Sequence, residues 1–120
     1  MKIIISFTFL LLLSCATSTQ TQTQIQTTKS IFNPGKQIAF SREKGNCLAC
    51  HEIENGEFPG NIGPTLKNLP TRFKNKQQLR EQIWDATQFN PETSMPPFGK
   101  HKIISEDEID QVVDYLWGLK

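Results

Sequence analysis

The amino-acid sequence predicts a small all-α domain, and three observations support this fold class. Helix-start signals occur at three points, each with a capping residue ahead of a helix-forming segment. No segment alternates apolar and polar residues as a half-buried strand does. The 120 residues, 37% of them hydrophobic, leave room for one core only, which excludes a large enzyme with its own substrate domain. A formal net charge of +1 gives no overall field that would attract nucleic acid.

The first two helices are predicted from their capping residues. Asn33 caps the first helix, and Pro34 lies in its first turn, where the missing N–H costs no hydrogen bond. We expect this helix to extend to about Lys44. Asn75 caps the second helix, whose apolar residues at helical spacing are Leu79, Ile83 and Ala86. This helix must end before Asn90-Pro91, because a proline disfavours helical backbone in the residue ahead of it.

The third helix has the most complete signal. Ser105 and Glu108 have the spacing of a capping box, and one apolar stripe follows, formed by Ile109, Val112, Val113 and Leu116. Tyr115 on this helix is expected to pack against Phe40 of the first helix. The segment over residues 56–70 is rich in Gly and Pro, which predicts a long functional loop. Three short helices make a small core, so another group is expected to fill the middle of the domain.

The first residues differ in composition from the rest of the chain. A short positive start precedes an apolar run over residues 3–13, which is too short to span a bilayer and is typical of an export signal. The sequence therefore predicts a signal peptide over residues 1–15 and a mature protein in the periplasm. Leu12-Leu13-Ser14-Cys15 resembles the lipobox of bacterial lipoproteins, which favours lipidation of Cys15 and a membrane anchor. Ordinary cleavage after Ala16, with release of a soluble protein, is the alternative.

Residues 16–31 are predicted to form a linker. Thr, Gln and Ser make up nearly all of this segment through residue 30, and such a stretch cannot bury enough apolar area to offset its ordering entropy. We therefore predict a disordered, Thr/Gln-rich linker over residues 16–31 and a folded domain over residues 32–120.

One short motif carries the chemistry. Cys47-Leu48-Ala49-Cys50-His51 has the C-x-x-C-H pattern of covalent haem attachment. Because Cys47 and Cys50 lie one turn apart, each thiol can add to a vinyl group of one porphyrin edge, and His51 can then bind the iron. The sequence therefore predicts one covalently bound haem c, with two thioether bonds and a histidine axial ligand.

Two other interpretations of the cysteine pair lack the residues or the context that they require. A thioredoxin-like redox site is set in a βαβ unit, and this sequence predicts no strands. A structural zinc site needs four nitrogen or sulfur ligands, and the chain can add only His101 and Cys15 to the motif.

A low-spin electron-transfer haem needs a sixth ligand, and Met95 is the candidate. It is the only methionine besides Met1, and it lies in a proline-stiffened run, Thr93-Ser94-Met95-Pro96-Pro97-Phe98. A thioether ligand raises the reduction potential relative to two histidines. A methionine that only fills a gap in the core is the alternative. His101, which stands between two lysines, is a rival ligand that we expect to be exposed.

A proline follows the motif and is a candidate partner for the histidine. The backbone carbonyl of Pro64, in Gly63-Pro64, is predicted to accept a hydrogen bond from Nδ1 of His51. Such a bond fixes the tautomer and the basicity of an axial histidine. A plain turn is the alternative.

In their order along the chain, these features resemble a known family. A first helix, C-x-x-C-H, a Gly-Pro loop, a late methionine and a last helix together resemble class I cytochromes c. More narrowly, three runs resemble SoxX, the monohaem subunit of SoxAX sulfur-oxidation complexes: Gly45-Asn46-Cys47-Leu48-Ala49-Cys50-His51, Gly60-Asn61-Ile62-Gly63-Pro64 and Met95-Pro96-Pro97-Phe98-Gly99-Lys100-His101. The resemblance extends over residues 33–119. Thr65 departs from the family pattern, in which a second proline is common.

The resemblance implies a class I cytochrome c-like fold, with three main helices and long loops around one haem. It also implies a heterodimer with a SoxA-type cytochrome subunit, which joins thiosulfate oxidatively to a cysteine of the carrier protein SoxYZ and so acts as an L-cysteine S-thiosulfotransferase. The family places the reacting cysteine on the SoxA subunit. In this chain Cys47 and Cys50 are consumed as thioethers, so no catalytic residue is predicted. Its implied part is to accept electrons from the partner's site.

A stand-alone, membrane-tethered electron carrier without a catalytic partner is the alternative function. Both functions require the same haem site and differ in whether a stable partner surface exists. Two charged surfaces could steer docking, namely a basic stretch over residues 67–80 and an acidic face on the third helix. A solvated surface without a partner is the alternative for each of them.

Overall fold

The computed structural model describes residues 32–120. The predicted signal peptide, the predicted linker and Cys15 lie outside the described residues. Phe32–Lys120 form one unit. Within this part of the chain no helix has the length and apolarity needed to cross a membrane.

Over residues 32–120, three α-helices and three short 3₁₀ turns make up the regular structure. The α-helices are α1 (Pro34–Phe40), α2 (Lys76–Trp84) and α3 (Glu106–Trp117). The 3₁₀ turns lie at Cys47–Ala49, Leu69–Thr71 and Ala86–Gln88. No strand is present between residues 32 and 120. The predicted all-α fold class is therefore confirmed.

Helix α1 is shorter than the sequence predicts. Asn33 caps it as expected, and its Oδ1 accepts a backbone N–H at 3.0 Å. The prediction that the helix extends to about Lys44 is wrong, because Ser41 adopts extended backbone and ends the helix at Phe40. The Ser41 N–H still donates to the Gln37 carbonyl at 2.9 Å, which closes the last turn.

Helices α2 and α3 begin where the sequence predicts. The Oδ1 atom of Asn75 accepts a backbone N–H at 2.9 Å, and Ser105 and Glu108 form a reciprocal capping box. Ala86, which was expected on the second helix, lies in the 3₁₀ turn beyond it. The reason is that Asp85 takes a non-helical backbone conformation (φ −154°, ψ 88°) and ends α2.

Helices α1 and α3 pack closely at Gly35. A Cβ atom at this position would lie 1.9 Å from the carbonyl oxygen of Gln111, so only glycine allows the two backbones to approach so closely. Further along the same contact, the rings of Phe40 and Tyr115 meet edge to face, with centroids 6.3 Å apart and an interplanar angle of 68°. The predicted contact between these two rings is confirmed.

The core is built around the apolar stripe of α3, all four residues of which are buried. Buried apolar residues from the other elements complete it: Ile38, Ile53, Leu69, Leu79, Ile83, Phe98 and Ile104. Cys47, Met95 and Trp84 pack, partly buried, against the same cluster. The cysteine motif and the methionine loop therefore both border the core.

The charged surfaces of α2 and α3 face each other. Arg80 donates to Asp110 at 2.6 Å and to Glu106 at 3.2 Å, and Lys76 donates to Asp114 at 2.7 Å. The basic stretch and the acidic face therefore neutralise each other in part. Exposed pairs of this kind contribute little to stability, and their mutual pairing leaves less charge to steer a partner.

Candidate haem site

The C-x-x-C-H motif begins directly against the end of α1. The Gly45 N–H donates to the Ile38 carbonyl at 3.1 Å, and a Cβ atom at Gly45 would lie 2.8 Å from that oxygen. Asn46 takes left-handed backbone (φ 45°), which asparagine tolerates better than most residues. Cys47–Ala49 then form a 3₁₀ turn, and the His51 N–H donates to the carbonyl of the first cysteine at 2.9 Å. The motif is therefore a tight turn joined to the first helix.

The two thiols of this turn are free and half-buried. Burial raises the pKa of Cys47 to about 11, so its thiol is neutral near pH 7. A neutral thiol is a poor nucleophile and a poor zinc ligand, because both roles need the thiolate. Within residues 32–120 no three His, Cys, Asp or Glu side chains come together as a metal-binding cluster. The environment of Cys47 therefore does not favour thiolate chemistry.

His51 is oriented by Gly63 and Pro64, two residues of the loop that follows the motif. Its Nδ1 lies 2.7 Å from the carbonyl oxygen of Pro64. Because a carbonyl oxygen only accepts, Nδ1 carries the proton and Nε2 keeps the lone pair that a metal requires. A Cβ atom at Gly63 would lie 2.3 Å from Cε1 of the imidazole, so the backbone of Gly63 stands directly against the ring. The Gly63 N–H also donates to the Cys50 carbonyl at 2.8 Å, which ties the loop to the motif.

The loop that follows the motif is pinned to it at Gly60. The Gly60 N–H donates to the Leu48 carbonyl at 2.8 Å, and a Cβ atom at Gly60 would lie 2.0 Å from the carbonyl oxygen of Ala49. On the two sides of this contact, Phe58 and Ile62 are 94% and 72% exposed. Phe58 has a φ of 52°, a left-handed conformation that costs a residue with a side chain roughly 1 kcal/mol. The loop therefore carries two exposed apolar side chains next to the cysteine motif.

Met95 lies on the loop between α2 and α3. Its side chain is half-buried against the core, and its N–H donates to Oγ1 of Thr93 at 3.2 Å. Phe98, three residues further on, is buried and anchors this loop. His101, the rival ligand, is exposed as predicted. The structure thus places the methionine, and not this histidine, against the core.

The donor atoms in this part of the molecule fit a covalently attached haem. Two free thiols stand one turn apart, an imidazole presents an unprotonated Nε2, and a thioether lies half-buried on a stiffened loop. Two thiols, an imidazole and a thioether are the groups that attach haem c and bind its iron. Cys47 and Cys50 would hold the porphyrin, and His51 Nε2 and Met95 Sδ would hold the iron.

Fold and site together define a c-type cytochrome domain. The family model described as cytochrome C oxidase, cbb3-type, subunit III matches residues 34–116, and the chain belongs to this family. It is therefore an electron-transfer domain of the cytochrome c type, and membership of the family implies covalently attached haem c.

Comparison with solved structures and curated proteins narrows this class. The chain is similar to a chain in the crystal structure of SoxXA from P. pantotrophus, with 30% sequence identity, a TM-score of 0.65, and coverage of 72% of this chain and 80% of that chain. This similarity confirms the predicted resemblance to SoxX. An uncharacterized lipoprotein of Aquifex aeolicus (strain VF5) is 33% identical over 75 residues, which are 62% of this chain and 36% of that protein. The match therefore spans little more than a third of the length of that lipoprotein.

Sequence reasoning missed the residues that hold the methionine loop in place. Asp85 is 2% exposed and pairs with Lys100 at 2.8 Å, and a Cβ atom at Gly99 would lie 2.1 Å from the ring of Trp84. The spacing of Asp85 and Thr87 is that of a capping turn and could have revealed the local hydrogen bond. No sequence signal reveals the pairing with Lys100, because it depends on how the loop folds back.

Proposed function

We propose that this chain is the monohaem electron-transfer subunit of a SoxAX-type complex. The observation that carries the proposal is the oriented imidazole of His51 beside two free thiols, on a domain that is similar to SoxXA. One haem c would be attached through Cys47 and Cys50, with His51 and Met95 as axial ligands. Bound there, the haem supplies a one-electron Fe(III)/Fe(II) couple.

The chain's own residues set how readily such a group accepts an electron. The Pro64 carbonyl holds the His51 proton at Nδ1 and leaves Nε2 free to bind a metal. Met95 offers a soft thioether, which raises the reduction potential relative to a second imidazole. The apolar core borders Cys47 and Met95, and an apolar surrounding of this kind limits the access of water to a haem. A methionine ligand and an apolar surrounding both favour a haem that accepts electrons.

The proposed partner is a SoxA-type subunit that joins thiosulfate to a cysteine of SoxYZ. Forming a sulfur–sulfur bond from a thiol and thiosulfate releases two electrons and one proton, so the reaction needs an electron acceptor. The described domain offers no nucleophile for this step, because its two cysteines are the attachment residues and the thiol of Cys47 is neutral. We infer that the chain takes the electrons one at a time and passes them to a downstream acceptor.

The exposed loop beside the motif supports a bound partner over a free carrier. Phe58 and Ile62 flank the Gly60 contact with the motif, so a protein that covers them lies next to the attachment site. Three glutamates accompany them and no Lys or Arg occurs over residues 52–66; the glutamates are Glu52, Glu54 and Glu57. The complementary surface is apolar with a basic rim.

Co-purification from thiosulfate-grown cells tests this proposal. We expect tagged protein to bring a second cytochrome subunit with it, and thiosulfate with SoxYZ to reduce the haem of the complex. The double variant Phe58→Ser, Ile62→Ser should lose the partner and keep the haem spectrum. The matched control is Ile103→Ser, which removes another exposed apolar residue that lies outside this loop. Wild-type protein that purifies alone would make the stand-alone carrier the better function.

Export and lipidation at Cys15 form a separate part of the proposal. The apolar N-terminal run and its lipobox-like end support them, and the similar protein from Aquifex aeolicus is named a lipoprotein. We therefore infer that the domain works in the periplasm on a lipid anchor. Mass spectrometry of the mature N-terminus tests this: a diacylated Cys15 is expected, and a protein that begins at Thr17 contradicts the anchor.

A further inference from the structure

Among residues 32–120, Asp85 is the one charged side chain that is buried. It stands immediately after α2, at the start of the loop that carries Met95. Its Oδ1 accepts the N–H of Thr87 at 3.2 Å and also the hydroxyl of the same residue. Its Oδ2 accepts from Nζ of Lys100 at 2.8 Å. A buried carboxylate therefore has partners at both ends of one loop, residues 85–100.

The returning end of this loop is seated on the last residue of α2. The N–H groups of Gly99 and Lys100 donate to the Trp84 carbonyl at 3.1 and 3.2 Å. The backbone of Gly99 lies directly against the Trp84 ring, where a Cβ atom would stand 2.1 Å away. The ion pair of Asp85 and Lys100 adds a charged contact to the main-chain hydrogen bonds that close the loop.

The outgoing end is held by short-range bonds that depend on the same carboxylate. Asp85 caps the 3₁₀ turn Ala86–Gln88, and the Asn90 N–H donates to the Ala86 carbonyl at 3.1 Å. Thr93 then accepts the Met95 N–H through its hydroxyl at 3.2 Å. Loss of the cap loosens the chain that leads to the methionine, while loss of the ion pair loosens the chain that returns from it.

We propose that Asp85 is the positioning residue for Met95, and that its bond to Lys100 sets how readily the methionine sulfur leaves the haem iron. This inference rests on the proposed function, in which Met95 is the axial ligand. When the loop is closed, the Met95 sulfur is held near one position. When the loop opens, it gains conformational freedom, and the sulfur then competes poorly with other ligands for the iron. Asp85 acts through the loop, because its carboxylate bonds to Thr87 and Lys100 and not to His51 or Met95.

Imidazole binding to the ferric holoprotein measures this directly. Imidazole displaces a methionine ligand, and the weak far-red band of sulfur-ligated ferric haem disappears as it binds. We expect the apparent affinity for imidazole to rise about tenfold in Asp85→Asn and in Lys100→Gln, because each removes a charge-assisted hydrogen bond. Lys100→Arg keeps the charge and should stay within about twofold of wild type.

Lys102→Gln is the matched control, because it removes an exposed lysine two residues further on. It should leave imidazole affinity unchanged. The Lys100 side chain is 56% exposed, so its variants are expected to fold even where those of Asp85 do not. A double variant at Asp85 and Lys100 should show less than the product of the two single effects, because the two groups act as one pair.

Far-UV circular dichroism in guanidinium separates positioning from general stability. If Asp85 positions Met95, the midpoint for loss of the far-red band falls further in Asp85→Asn than the midpoint for loss of the helices. The inference is wrong if the two midpoints shift equally and the imidazole affinity of the Lys100→Gln variant is unchanged. That result would not contradict the assignment of His51 and Met95 as haem ligands. Wild-type ferric protein without the far-red band overturns the assignment of Met95, and the inference fails with it.

Discussion

His51 and Met95 are proposed to bind one iron, yet the two segments that carry them are held in different ways. On the histidine side, residues 45–64, the contacts are mostly main-chain: Gly60 and Gly63 donate to carbonyls of the motif, and a carbonyl accepts from the imidazole. On the methionine side, residues 85–100, a buried carboxylate and a tryptophan ring hold the loop in addition to main-chain hydrogen bonds. Both sides are therefore intolerant of added bulk. They differ in that the methionine side also depends on a side-chain ion pair, whose loss would favour ligand exchange.

Adding one methyl group to each side gives the largest expected effects. In Gly63→Ala the new Cβ meets the imidazole at 2.3 Å, so we expect loss of about 3 kcal/mol of stability and little holoprotein. In Gly99→Ala the new Cβ meets the Trp84 ring at 2.1 Å, so the haem should stay attached while the far-red band is lost. Haem-stained yield and the ferric spectrum measure the two outcomes.

Gly118→Ala is the control for both glycine variants. The nearest heavy atom to its Cβ would be 3.5 Å away, which is ordinary contact, so we expect a change in stability within about 0.5 kcal/mol. Normal yield and a normal spectrum in Gly63→Ala would show that the histidine side is not held as described.

Replacing the methionine itself separates the two sides spectroscopically. Met95→Ala should keep covalent haem and helix content, lose the far-red band, and lower the reduction potential by on the order of 0.1 V or more, since axial ligands tune it over roughly 0.8 V. Potentiometry on purified protein measures the shift. His101→Ala is the matched variant and should leave both the band and the potential unchanged, because this side chain is exposed. If His101 were the ligand instead of Met95, the wild-type protein would lack the band, and Met95→Ala would leave the reduction potential unchanged.

Acid should weaken the methionine side through Asp85. Hydrogen bonds from Lys100 and Thr87 hold the pKa of this carboxyl at about 2, below its ordinary value of 3.8. Because the folded-state pKa is the lower one, the contribution to stability is complete above about pH 4 and is lost as the pH falls toward 2. The difference in free energy of unfolding between wild type and Asp85→Asn should therefore shrink over this range. Guanidinium titrations at stepped pH measure it, and a difference at pH 2 as large as the one at neutral pH contradicts this account.

The smallest effect is expected where only main chain matters. Pro64→Ala keeps the carbonyl that accepts from His51, so the haem spectrum should not change. Stability should fall by no more than about 1 kcal/mol, because the loop of the unfolded chain gains some freedom. Thermal unfolding followed at a haem band measures this, and a spectrum with a displaced histidine would show that the ring of Pro64, rather than its carbonyl, is needed.

Features that depend on residues close together in the sequence were predictable. Contacts between residues that are far apart in the sequence were not. The caps at Asn33, Asn75 and Ser105 are local, and the structure has all three. The C-x-x-C-H motif is equally local. The end of α1 was misplaced because residues after Phe40 turn to meet the motif instead of continuing the helix. The partner of Asp85 lies 15 residues away and depends on the path of the loop, which no periodicity describes.

The contact between Gly35 and Gln111 also bears on the order of folding, because it joins the first and the last helix. Gly35 and Gln111 lie 76 residues apart in the sequence, so their contact is non-local and slow to form. Until α3 packs onto it, the first helix lacks the partner that buries it, and the core against which Cys47 packs is incomplete. Late packing of the two helices would leave Cys47 and Cys50 accessible for the proposed haem attachment.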